Sequence, residues 1–175
     1  DYRKTYDVYK DDTLLNRKPK KSRKIFVCLD EQRGQYLVDG LVAMDFPLSS
    51  GVKAYPTKTG DYTVISKKED HASNLYGKMY DAEGKCINYN AEATDPVPEG
   101  GRFDGSPMPY WQRLTNAGLG LHVGKVRRHP ISHGCVRLPR NVAEILYKQT
   151  SVGTPVTIQR TPLPVPEAQK APAVQ

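Results

Sequence analysis

The sequence predicts a mainly β domain with one or two helices, and three observations predict it. Short runs rich in β-branched and aromatic residues recur along the chain, each closed by Gly, Pro, Asp or Asn. The dipeptide Asp39-Gly40 stands between Val38 and Leu41 as a two-residue hairpin loop does. A helical apolar period is clear in one stretch only, after Pro139. With 175 residues the chain is long enough for one domain with a real core and too short for two large ones.

Taken in order, residues 1–23 are read as a basic, flexible lead-in. Six of the eight residues in RKPKKSRK (17–24) are basic, and no aromatic residue is interleaved to stack on a nucleic-acid base. The runs KIFVCLD (24–30), GQYLVDG (34–40) and LVAMDFPLSSG (41–51) follow; the Asp39-Gly40 turn makes them an antiparallel meander. Cys28, inside IFVCL, reads as a small buried hydrophobe. GDYTVISK (60–67), LYGKMYD (75–81), CINYN (86–90) and LGLHVG (119–124) are the next strand candidates. Pro139 suits the first turn of a helix on which Val142, Ile145, Leu146 and Gln149 share one face, with Gly153 beyond its end. TPVTI (154–158) closes as a strand. The final stretch, TPLPVPEAQKAPAVQ (161–175), is rich in Pro and Ala without an apolar period and reads as a disordered tail, leaving 24–160 as the folded domain.

Composition narrows the partners. A net charge of +7 suits contact with an anionic polymer, while the absence of aromatic interleaving in the basic run argues against nucleic acid. No apolar run approaches the roughly 18 residues of a membrane helix, so membrane anchoring is expected only through a segment outside these residues. The three cysteines, Cys28, Cys86 and Cys135, cannot all pair within one chain; a Cys28–Cys86 bridge stays open.

The chemistry gathers in LGLHVGKVRRHPISHGCVRLP. An unperturbed thiol is mostly protonated at neutral pH, and only the thiolate is a strong nucleophile, so a nucleophilic Cys135 needs a base. Three imidazoles lie upstream of it, at His122, His129 and His133. His133 is two residues away and shares a side with Cys135 if the segment is extended, unless Gly134 turns the chain. His122, at the end of a strand candidate, would face Cys135 from a rigid platform if the intervening loop brings the two segments together. The N–H groups of His133, Gly134 and Cys135 are candidates for an oxyanion site, Gly134 letting an acyl group come close. Two other readings are open at this point: His133 and Cys135 as buried structural residues, and a metal site of His129, His133 and Cys135, which lacks a clear fourth ligand. Tyr110 and Trp111 are candidates for a groove wall or for core packing.

These residues carry a resemblance. The segment LGLHVGKVRRHPISHGCVRLP closely resembles the active-site motif of the L,D-transpeptidase catalytic domain (YkuD-like): a His, a loop, then Ser or Thr, His, Gly and Cys. LSSGVKAYPTKTGDYTVISK (48–67) is similar to that family's upstream Ser-Thr-Gly and Thr-Pro-Thr-Gly hairpin, and MPYWQRLTNAGLGLH (108–122) to the run leading into the first His. Arg137 stands where the commonest form of the motif has Asn, and YPTKTG (55–60) departs from the Thr-Pro-Thr-Gly step.

What the resemblance implies is a β-sandwich of two mixed sheets with one or two helices, acting as a cysteine-dependent L,D-transpeptidase on peptidoglycan stem peptides in the periplasm or cell envelope. It implies Cys135 as nucleophile and His122 as general base, oriented by a carbonyl such as that of Val123. His133, Gly134 and the Cys135 amide would line the oxyanion site, Ser132 would fix the loop, and Arg137 would hold a substrate carboxylate. No cofactor or metal is implied; an acceptor protein linked to the wall is a further expected partner. The same site could instead serve an L,D-carboxypeptidase or endopeptidase, or the fold could be a catalytically silent wall-binding module.

Overall fold

The computed structural model describes residues 7–170. They divide into two compact units, one made of the residues up to Lys67 and from Tyr110 onward, the other Lys68–Pro109.

In the first unit, β1 (Tyr9–Lys10) and a four-residue helix α1 (Asp12–Leu15) precede the expected meander of β2 (Arg23–Cys28), β3 (Arg33–Val38) and β4 (Leu41–Pro47). Asp39 and Gly40 take φ of 51° and 79°, and Val38 pairs with Leu41 across them. Positive φ at both central residues is what a two-residue hairpin with strand-compatible twist demands. β5 (Gly60–Thr63) and the last described strand, β13 (Pro155–Gln159), complete a six-stranded sheet of order β1-β4-β3-β2-β13-β5. β13 runs parallel to β2 and antiparallel to β5, so the sheet is mixed.

The second sheet, β12-β11-β10-β6, uses β6 (Ser66–Lys68), β10 (Trp111–Arg113), β11 (Gly120–Val123) and β12 (Val136–Leu138). It too is mixed, since β11 pairs antiparallel with β10 and parallel with β12. The expected single run at 60–67 is therefore two strands belonging to different sheets. Helix α2 (Arg140–Gln149) follows β12, with Val142, Ala143 and Leu146 buried. Pro139 lies one position before the helix as its N-cap. One apolar cluster joins both sheets and α2: Ile25, Val27, Tyr36, Phe46 and Val156 from one sheet, Leu121, Val136 and Leu138 from the other, and Val142 and Leu146 from the helix. Each such side chain contributes on the order of 1.5–3 kcal/mol by leaving water.

The Lys68–Pro109 unit is a three-stranded antiparallel sheet, β8-β7-β9, of β7 (Ala72–Tyr80), β8 (Cys86–Glu92) and β9 (Arg102–Pro107). The expected pair of sheets is thus joined by a third, smaller one.

Both terminal segments differ from expectation. Within the segment read as a flexible lead-in, Asp11 caps α1 by accepting the Leu14 N–H at 3.0 Å, and Leu14 and Leu15 are each 5% exposed within the core. Two apolar residues behind a capping carboxylate outweigh the surrounding charge. Asp39 then fastens the basic run: its carboxylate accepts the N–H groups of Lys21 and Ser22 and pairs with Arg17 at 3.1 Å. The segment read as a disordered tail docks on β4 as far as it is described, because the Gln169 amide exchanges two hydrogen bonds, of 2.7 and 3.0 Å, with the Val42 backbone. Residues 1–6 and 171–175 lie outside the described residues.

Candidate active site

Strand register assembles the site. β11 and β12 run parallel with Leu121 opposite Val136, His122 opposite Arg137 and Val123 opposite Leu138. Side chains alternate faces along a strand, and Leu121, Val136 and Leu138 are buried in the core. His122 and Arg137 therefore share the other face, and Cys135, two residues before Arg137, arrives beside Gly120. The loop between the strands does bring the two segments together, on the rigid platform that the sequence reading required for His122.

His122 is 7% exposed, and its Nδ1 lies 2.6 Å from the Val123 carbonyl oxygen. A carbonyl only accepts, so Nδ1 carries a proton, and in the neutral imidazole the lone pair is on Nε2. This is the tautomer a general base needs, and the carbonyl is the one expected.

The Cys135 thiol donates to the Gly118 carbonyl at 3.2 Å. Burial is the largest influence on it and pushes its pKa up; the Gly120 amide and the positive charges of Arg137 and Arg113 pull the other way without overcoming it. Burial thus disfavours the thiolate form at this position. Arg137 is half-buried and packs its aliphatic stem over Gly124, where an added Cβ would meet the Arg137 Cγ and Cδ at 2.8 Å. Cys28, Cys86 and Cys135 form no disulfide with one another, which leaves the Cys28–Cys86 bridge unformed.

The loop before Cys135 is held at successive peptides. The Ser132 hydroxyl donates to the Cys135 carbonyl at 2.6 Å and accepts the Gly134 N–H at 3.1 Å. Gly134 has φ of 122°, in the left-handed region. Two features correct the reading of this loop. The turn at Gly134 takes His133 away from Cys135: His133 is exposed and meets the Tyr55 ring edge-on at 4.8 Å. The Gly134 N–H, expected among the oxyanion donors, is already engaged by Ser132, which removes it from that set.

Trp111 and Tyr110 also find their places. Trp111 is 2% exposed, its ring centroid 6.0 Å from that of His122 and its edge directly over Gly120. It packs beside His122, on the sheet face that also bears Cys135. Tyr110 contacts Tyr147 of α2 edge-on at 5.4 Å. His129 is exposed, and among the described residues no three of His, Cys, Asp and Glu gather closely enough to hold a metal.

The sequence reading missed Thr57. Only 6% exposed, it accepts the Gly51 N–H at 2.8 Å and donates to the Gly134 carbonyl at 2.6 Å. It also missed the role of residues 49–52 as a backbone splint: Ser49 exchanges two hydrogen bonds with Arg137, Ser50 accepts the Ile131 and Ser132 N–H groups, and Val52 donates to Ser132. The only local signal for either was the altered Thr-Pro-Thr-Gly step itself.

Comparison with known proteins identifies the family and the fold. The model of the YkuD L,D-transpeptidase catalytic domain matches residues 22–158. Probable L,D-transpeptidase 3 of Mycobacterium tuberculosis is 32% identical over 120 residues, covering 65% of this chain and 38% of the relative. Among solved structures, an L,D-transpeptidase from Mycobacterium smegmatis aligns with a TM-score of 0.61 at 23% identity, over 79% of this chain and 58% of that one. Enterococcus faecium L,D-transpeptidase, solved as a cysteine-to-serine mutant, aligns at 0.57 with 27% identity, over 79% and 50%. The chain spans less than two thirds of the length of each of these relatives.

Proposed function

The chain belongs to the L,D-transpeptidase catalytic domain family, and from that premise we propose that it transfers acyl groups between peptidoglycan stem peptides through a thioester on Cys135. The observation that carries the proposal is the His122 imidazole, its Nδ1 proton locked on the Val123 carbonyl, standing one strand away on the face that bears the Cys135 thiol.

In this reading the His122 Nε2 takes the Sγ proton as sulfur attacks the donor carbonyl, so no resting thiolate is required and the raised thiol pKa is no obstacle. The tetrahedral oxyanion is received by backbone N–H groups of the Cys135 loop, those of Cys135 and His133. The C–N bond to the terminal D-amino acid then breaks, the leaving amine taking its proton from His122. An acceptor amine, on another stem or on a wall-linked protein, attacks the thioester, gives its proton to His122 and releases the thiol. Arg137 supplies a cation on the site face for a substrate carboxylate. None of these steps calls on a metal or cofactor, and the substrate places the protein in an extracytoplasmic, cell-wall setting. No helix among the described residues is long and apolar enough to cross a membrane.

The test is acylation by a carbapenem, read by intact mass on the native chain and on Cys135→Ala. A stable adduct on the first and none on the second is the expected result. No adduct on well-folded native protein would overturn the nucleophilic role of Cys135 and with it the acyl-transfer reading.

A further inference from the structure

We propose that Thr57 is a positioning residue for the acyl-transfer reaction: its hydroxyl sets the direction of the Gly134–Cys135 peptide and thereby aims the Cys135 N–H. The proposal rests on the reading of Cys135 as an acylated nucleophile.

Three consecutive peptides run from His133 to Val136. The first is held by its N–H, that of Gly134, and the third by its carbonyl, that of Cys135, both on the Ser132 hydroxyl. Ser132 makes no bond to the middle peptide. That peptide is the one whose N–H belongs to Cys135, and its carbonyl oxygen is taken by Thr57 at 2.6 Å. A trans peptide is planar with its C=O and N–H pointing opposite ways. Fixing the Gly134 oxygen on the Thr57 side therefore fixes the Cys135 N–H on the other.

Something has to make that choice. Gly134 has no Cβ, so the rotation that would turn this peptide over meets little steric resistance. Thr57 leaves no ambiguity in its own bonding either. The Gly51 N–H can only donate, so the Thr57 oxygen accepts there, and its single proton is committed to the Gly134 carbonyl. Gly51 in turn sits in the 49–52 splint and tolerates no side chain, since an added Cβ would lie 2.0 Å from the Tyr55 oxygen and 2.8 Å from the Gly134 Cα. The hydroxyl is thus referenced to the same backbone that frames Ser132 and Arg137.

Thr57→Val keeps the shape and deletes the hydroxyl, whereas Thr57→Ser keeps the hydroxyl and deletes the methyl. For each variant, two rates at Cys135 separate aim from architecture. Alkylation by iodoacetamide needs an accessible, ionisable thiol and no oxyanion site; acylation by a carbapenem needs both. In Thr57→Val, acylation is expected to slow roughly 100-fold, while the alkylation rate and its pH profile stay at native values. Thr57→Ser is expected to acylate within a few-fold of native. Native acylation in Thr57→Val, or an equal fall of alkylation and acylation, overturns the positioning role. So does a Ser variant as slow as the Val variant, which keeps the idea exposed even if Thr57→Val folds poorly. A native chain that alkylates but never acylates sinks the underlying acyl-transfer reading instead, and this role with it.

Discussion

Replacing Gly120 by Ala puts a methyl group where the structure has no room for one. A Cβ built on Gly120 falls 2.4 and 2.6 Å from two ring carbons of Trp111 and 2.6 Å from the Gln112 carbonyl oxygen. Ordinary contact begins near 3.4 Å, so ring and carbonyl must each retreat by roughly 0.8–1 Å. The ring has nowhere to go, because Trp111 is 2% exposed. The carbonyl is tied by the pairing of β10 and β11, in which Gln112 faces Leu121 and Arg113 faces Gly120. The displacement is therefore passed to the Gly120 backbone, whose amide faces the Cys135 sulfur. Overpacking of this size costs about 1–3 kcal/mol, and at about 2–4 °C per kcal/mol for a chain of this size the melting temperature falls by about 2–12 °C. A shift near 1 Å at a reacting group costs on the order of 100-fold in rate. Differential scanning calorimetry and the carbapenem acylation rate measure the two effects. Adding Trp111→Leu to Gly120→Ala should recover only part of each, because the Gln112 oxygen stays where it was. A Gly120→Ala protein that melts and acylates like the native chain would refute the reasoning, as would complete recovery on trimming Trp111.

Two further outcomes follow from groups described above. The Cys135 thiol is raised by burial, so its alkylation by iodoacetamide, followed by peptide mapping to separate it from Cys28 and Cys86, should climb with a midpoint alkaline of the roughly 8.5 of an ordinary cysteine; a rate already at plateau below neutral pH would mean a resting thiolate and imidazolium instead. Asp45 is fully buried on β4, bonded to the Arg33 guanidinium and to the Gln35 amide at 3.0 Å. Asp45→Asn leaves that cation without its counter-charge and should lower unfolding free energy by about 3 kcal/mol in urea melts, with a loss under about 1 kcal/mol showing that Arg33 simply swings into solvent.

Local chemistry explains which parts of the molecule could be read in advance. The β2–β4 meander was legible because Asp39-Gly40 demands positive φ at two adjacent residues, and α2 because its buried face repeats at the helical period. The approach of the segments that carry His122 and Cys135 was legible because the stretch between them is short. Other features leave no mark on neighbouring residues. β12 is three residues long and hidden between a glycine turn and a proline, and β9 contains Gly105 and ends in Pro107. Thr57 meets Gly134 across 77 residues, through a backbone oxygen that every residue possesses. The engagement of the Gly134 N–H depends on one backbone angle. The lead-in misled because charge dominates its composition while two leucines decide its place.

The position of β13 also governs the order in which this molecule can come into being. The last strand of the described residues is not at an edge but between β2 and β5, among the first half of the residues. Until Pro155–Gln159 emerge, Ile25–Cys28 keep an open row of backbone donors and acceptors that any extended segment can occupy. The thiol at Cys135 is already made by then, yet the core beneath its strand lacks Val156 and Ile158. A ribosome that stalls, or a protease that cuts, before Pro155 leaves the β2 edge of the sheet unpaired. Docking of β13 is thus what joins β2 to β5 and covers both of their facing edges.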